Sequence, residues 1–274
     1  MPPGLIENGE IKKEDELGRV LASWLSGDGR KLRRYFAAVS LPEERGFLRV
    51  LRLPKMKKEE VGNAVHWEIE ANVPLKLEEA IYDYDILHSA ESDADHIDVV
   101  LTAFPKNFVE SYVRVLKSSG LRLAALELEA QAVARASIPD FQDAQAKIIV
   151  DIGKTRSGAA IFAGGGVIFT STVEVGGKIF EEEISRELGV NPSEAAQIKI
   201  ATGLDPRFRE GKLFSALSRP LSLLAEEIRK AMDYYAVHVK DRHGASPEVG
   251  GVILAGGDAN LLGVATYLAS SLKT

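Results

Sequence analysis

Three glycine-marked turns in the second half of the chain limit what it can fold into. Asp151-Ile152-Gly153, Val175-Gly176-Gly177 and Leu254-Ala255-Gly256-Gly257 each follow an apolar, strand-like run. Glycine carries no Cβ, so backbone N–H groups at such turns can approach phosphate oxygens, and successive N–H groups form a concave anion site. Strands that end on such turns point to a nucleotide-handling fold. The first half has no matching turn after a strand, because Gly27-Asp28-Gly29 follows a helical pattern instead.

With 274 residues the chain is long enough for a large core and for two domains. Its 45% hydrophobic and 27% charged residues are those of an ordinary globular protein. A net charge of −6 excludes the basic surface that nucleic-acid binding needs, so no nucleic-acid partner is expected. The local basic run Arg30-Lys31-Leu32-Arg33-Arg34 fits solvated charge at a helix end or turn. The absence of cysteine excludes disulfides, thiolate catalysis and cysteine zinc sites. No apolar run approaches the ~20 residues of a membrane span, and Met1-Pro2-Pro3-Gly4 opens no secretory signal. A cytosolic chain with no direct membrane span is expected.

Periodicity orders the elements. Leu17, Val20, Leu21, Trp24 and Leu25 share a helical face, and two strands, 35–41 and 47–53, follow, joined through Pro42 to Gly46. Val61, Val65 and Ile69 mark a helix ended by Pro74, with Trp67 read as core or subdomain-interface packing. Strands at 81–87 and 97–104 flank the polar loop 89–96, and a helix through Phe108, Tyr112, Val115 and Leu116 ends at Gly120. In the second half, strands at 147–150, 158–162 and 167–175 precede a helix through Phe180, Ile184 and Leu188. Asn191-Pro192-Ser193-Glu194 starts another helix. After Asp205-Pro206 comes the longest amphipathic helix, with Leu221, Leu224, Ile228, Ala231, Tyr235 and Val239 on one face. A strand at 252–254 and a helix at 261–272 close the chain. No fixed-period repeat is present.

This order is similar to that of a ribonuclease-H-like lobe of the actin superfamily. A sharper likeness rests on Pro2 to Ile11, on Val65-His66-Trp67-Glu68-Ile69-Glu70-Ala71-Asn72-Val73-Pro74, on Asp83-Tyr84-Asp85 and on Ala103-Phe104-Pro105, followed by the three glycine turns. These stretches resemble the type IV pilus assembly PilM family, itself similar to the cell-division protein FtsA. The resemblance implies an α/β, actin-like two-lobe fold with an inserted 1C subdomain. Residues 1–34 and 120–146 would form a partial subdomain 1A, 35–119 subdomain 1C, and 147–274 the second lobe, 2A with a 2B insertion around 181–220. Full-length members carry a first phosphate motif ahead of the Pro-Pro-Gly segment, and continue beyond the adenosine helix. Unpaired strand edges or exposed apolar surface are therefore expected in the first lobe.

Site residues follow from the same resemblance. Asp151 and Gly153 match the second phosphate hairpin, with Asp151 holding magnesium through a bound nucleotide and Lys154 and Thr155 in the turn, beside Ser157. Gly176 and Gly177 match a loop approaching the phosphates, and Gly256, Gly257 and Asp258 match the adenosine motif. Glu227 and Lys230 are carried over as reaching the nucleoside, against the preferred reading of a solvated i, i+3 pair worth ~0.2–0.5 kcal/mol. Glu129 matches the acidic residue of the connecting helix, with Ala130 in place of the usual proline. ATP with magnesium is the implied cofactor.

Two functional classes remain. One is a cytoplasmic adaptor, peripheral at the inner membrane, that binds the N-terminal tail of PilN in a groove between 1A and 1C, beside other platform proteins and with room for self-association. The other is a working ATPase or small-molecule kinase of the same superfold. Phosphoryl transfer needs both phosphate hairpins and an acceptor base, and no nucleophile–base pair is evident, so the adaptor reading is preferred and nucleotide binding is expected to be lost or weakened. A GspL-like secretion adaptor is a further alternative, against which the Trp-Glu-x-Glu segment speaks. The five histidines show no metal spacing, and the aspartates at 83, 85, 93, 95 and 98 lack the glycine and terminal glutamate of a calcium loop.

Overall fold

The computed structural model describes residues 2–26, 36–87, 95–141, 145–243 and 249–273, which belong to two compact units, 1–132 and 133–274. The basic run 30–34, the Gly27–Gly29 turn and most of the polar loop 89–96 lie outside the described residues.

The second unit is built on a four-stranded sheet in the order β10-β9-β8-β11. Its strands are β8 (Ala146–Ile152), β9 (Ser157–Ala163), β10 (Gly166–Val173) and β11 (Val249–Ala255). β8 pairs antiparallel with β9 and parallel with β11, as suits its near-continuous apolar run. Gly164 and Gly165, both at positive φ, turn β9 into β10. Helices α5 (Gly177–Leu188), α6 (Pro192–Thr202), α7 (Lys212–His243) and α8 (Val264–Leu272) complete the unit. The expected start of α6 is present in detail, because the Asn191 side chain accepts the Glu194 N–H at 3.0 Å and Pro192 opens the helix.

The long helix begins earlier than its sequence pattern suggests and includes Pro220. Leu213, Leu217 and Leu221, at i+4 spacing and fully buried, carry one apolar face straight through the proline, so burial outweighs the missing N–H donor. Leu224, Ile228, Ala231 and Tyr235 extend that face into the core. The Val239 side chain lies outside the described set.

In the first unit, β4 (Phe47–Pro54), β6 (His96–Pro105) and β5 (Ala80–Ile86) form an antiparallel sheet in that order. Helix α2 (Lys58–Asn72) covers one face through Val61, Val65 and Ile69, against Leu51, Val99 and Leu101. Because these three residues define the buried stripe, Trp67 projects from the far side and is 80% exposed. It is therefore not a core residue, which removes the first of the two packing roles expected from sequence.

The strand at 36–41 also departs from the sequence reading. β3 (Phe36–Leu41) leaves the three-stranded sheet and pairs in parallel with β7 (Arg122–Leu128), a strand not expected from its alanine-rich, weakly alternating sequence. Leu41, Leu128, Phe104 and Phe108 form a common core beneath the two sheets, the phenylalanines coming from the end of β6 and the start of α3 (Lys106–Ser118). Phe36 on β3 is 65% exposed, with Arg122 over its ring. A hairpin of two very short strands, β1 (Ile6–Glu7) and β2 (Glu10–Ile11), turns through Asn8 and Gly9, both at positive φ. It packs with α1 (Glu14–Ser26) and α3 around Leu5, Ile11, Leu17 and Val115. Helix α4 (Glu129–Ser137) follows β7 and contains Glu129.

Phe180 is fully buried in the core of the second unit. Phe180→Ala is expected to lower unfolding free energy by about 3–5 kcal/mol, which urea denaturation followed by circular dichroism checks.

Candidate nucleotide-facing site

The parallel pairing of β8 with β11 sets Asp151 opposite Ala255, so the first and third glycine turns leave the same edge of the sheet side by side. Gly256 follows at φ +88°, and a Cβ there would overlap the Asp151 carboxylate and the Ile152 carbonyl. Glycine is required here by both conformation and space.

The second turn joins them by backbone bonds. The Gly177 N–H donates to the Gly153 carbonyl at 3.0 Å, and the Lys178 N–H donates to the Lys154 carbonyl at 2.7 Å. A Cβ at Gly176 would strike the same hairpin, and one at Gly177 would overlap the Asp258 carboxylate. The hairpin closes on itself through Gly153 N–H to Arg156 carbonyl at 3.0 Å, while the buried Ser157 hydroxyl donates to the Val175 carbonyl at 2.6 Å. Lys154 and Thr155 sit exposed at its tip. Gly257 differs from Gly153, Gly176, Gly177 and Gly256, because nothing lies where its Cβ would be.

Nine of the eleven residues singled out from sequence are thus gathered in one place. Glu227 and Lys230 pair with each other on α7 at 3.2 Å, and no hydrogen bond or ion pair among the described residues ties them to the turns.

Lys199 was not legible as part of this cluster. On α6 it follows the buried Ala195 by one helical turn, which directs its side chain inward. Its ammonium donates to Asp258 at 2.6 Å and to Glu181 at 2.8 Å and is only 9% exposed. Burial opposes the charge, yet the two carboxylates prevail and hold the lysine above its ordinary pKa. Asp151 shows the opposite balance: burial raises its pKa above the usual aspartate range, and Arg156 offsets only part of this.

These groups supply a glycine-lined backbone and three carboxylates but no nucleophile with an adjacent base. The first N–H groups of α5, which would otherwise face an anion, are taken by hairpin carbonyls. Among the described residues no group of three or more histidine or acidic side chains is arranged to hold a metal.

A family model described as type IV pilus assembly protein PilM matches residues 1–274. The chain belongs to the PilM family. A solved PilM–PilN type IV pilus biogenesis complex is similar at TM-score 0.74 and 23% identity, over 100% of this PilM-family chain and 77% of that one. MreB5 of Spiroplasma citri, solved bound to ADP, is similar at TM-score 0.60 and 14% identity, over 97% of this chain and 70% of MreB5. The cell shape-determining protein Mbl of Bacillus cereus is 26% identical over 203 residues, 64% of this chain and 61% of Mbl. The PilM-family chain therefore spans about three fifths of that relative's length. Together these likenesses establish an actin-like α/β fold.

Two substitutions examine the cluster. Gly256→Ala is expected to cost more than about 1 kcal/mol of stability and Gly257→Ala under about 0.5, read from urea midpoints. Because Asp151 has a raised folded pKa, its ionised form costs stability at neutral pH, and that cost fades as pH falls through the folded value toward the unfolded one. Asp151→Asn is therefore expected to melt higher than the parent at pH 7, with the difference shrinking on acidification in a thermal series.

Proposed function

We propose that this PilM-family protein is a cytoplasmic adaptor of the type IV pilus inner-membrane platform that captures the N-terminal tail of a PilN-type partner. The observation that carries the reading is the whole-chain family match, joined to a fold likeness that covers 100% of the chain in a PilM–PilN complex. In this reading residues 1–34 with 120–146 act as subdomain 1A, to which the pairing of β3 with β7 adds 36–41, the rest of 35–119 acts as 1C and 147–274 as the second lobe.

The tail would lie in the first unit between the β3–β7 sheet and the face of the β4-β6-β5 sheet that α2 leaves uncovered. Val50, Val100 and Thr102 belong to that face by strand alternation and register, and the Gln131 amide donates to the Thr102 hydroxyl at 3.4 Å. Asp83 and Asp85 share it on β5, where burial and then Asp83 push the Asp85 pKa up. Apolar floor, polar rim and nearby strand edges suit capture of an extended peptide, which needs no catalytic group. No helix among the described residues is long and apolar enough to cross a membrane. Contacts with other platform proteins and self-association belong to the same proposal.

A nucleotide would meet Gly153, Lys154 and Thr155 on one side and Gly256, Gly257 and Asp258 on the other, with magnesium held through Asp151. The residues fit such a ligand only in part. Gly177 and Lys178 have their N–H groups committed, and Asp258 is bonded to Lys199. Nucleotide binding in this proposal is weak, and ATP turnover is not its function.

A thermal-shift comparison tests the ranking. A synthetic PilN-type tail peptide is expected to raise the melting temperature, by the equivalent of about 2.7 kcal/mol at a hundredfold excess over Kd, while magnesium-ATP gives little or no shift. Strong magnesium-dependent stabilisation by ATP that Asp151→Ala abolishes would reverse the ranking in favour of an ATPase.

A further inference from the structure

Trp67 is 80% exposed, the most exposed of the large hydrophobic side chains among the described residues. It is also held in place. The His66 ring meets it edge-on, with centroids 5.5 Å apart and planes at 86°, and His66 Nδ1 is 2.9 Å from the Tyr82 hydroxyl of β5. An aromatic ring kept in water and pre-positioned in this way loses little freedom on docking, the property of an interface anchor.

The chain around it has a strong charge bias. Residues 59–79 contain six glutamates and one lysine. Glu70 accepts the Leu77 N–H at 3.1 Å, which ties the helical turn Leu77–Glu79, with its own two glutamates, to the end of α2. An exposed π face on a segment with this acidic bias is complementary to a guanidinium, which can stack on an indole and offer its N–H groups to carboxylates.

We propose that the outer face of α2 is a docking surface for an arginine-bearing segment of another protein, with Trp67 as anchor and Glu68 and Glu70 as its acidic rim. The surface is separate from the tail groove and does not depend on that reading. Nucleic acid is disfavoured by the same carboxylates.

The test uses the full chain in a Trp24→Phe background, so that Trp67 alone reports by fluorescence, titrated with a short peptide alternating arginine and alanine. Saturable change is expected, weakened by salt and at least about tenfold weaker for Glu68→Gln with Glu70→Gln, as loss of charge-assisted contacts predicts. Anisotropy of the labelled peptide extends the comparison to Trp67→Ala, which is expected to bind at least about tenfold less tightly while melting as the parent does. Equal affinity for Trp67→Ala, equal binding of a glutamate–alanine peptide, or a lowered melting point for Trp67→Ala would overturn the proposal. So would concentration-dependent dimerisation lost in Trp67→Ala, because a second copy would then be the occupant.

Discussion

The cluster in the second unit depends on the parallel pairing of β8 with β11, which lays two turns more than a hundred residues apart in sequence along one sheet edge. Pairing alone would not suffice. The Asp151 and Asp258 carboxylates occupy the volumes that side chains at Gly256 and Gly177 would need, so the turns interlock only because those side chains are absent. Once interlocked, the Gly177 and Lys178 N–H groups meet the Gly153 and Lys154 carbonyls, and Lys199 is drawn in to balance the acids. A region that sequence alone presents as an anion cradle is thereby satisfied largely from within.

That internal satisfaction bears on how an actin-like fold can serve an assembly protein. A preorganised nucleotide site keeps its donors available, and the donors at the start of α5 are committed here. Glycines needed for close packing of loops and glycines needed for phosphate approach leave the same mark in a sequence. In this chain close packing accounts for the glycines at 176, 177 and 256.

The first unit shows one helix serving two faces. Val61, Val65 and Ile69 commit α2 to the three-stranded sheet, and their spacing leaves Trp67 with no route to the core. The motif around Trp67 thus combines core and surface residues, which its linear form conceals. Likewise β3 and β4 are consecutive and both apolar, yet the helical turn Glu43–Arg45 separates them and β3 takes a distant parallel partner, with Phe36 opposite Arg122.

What sequence determined was whatever rests on neighbours along the chain. The α2 stripe, the Asn191 cap and the strand runs ending in glycine turns all follow from local periodicity and backbone freedom, and nine of the eleven candidate residues lie together because they sit on those turns. Only the tertiary structure decided what depends on partners distant in sequence. It paired β3 with β7, paired Lys230 with Glu227, buried Lys199 between Glu181 and Asp258, and left Trp67 in solvent. A periodic pattern shows which face of an element is apolar, but whether a charge is neutralised or a donor is consumed depends on groups that folding alone brings within hydrogen-bonding distance.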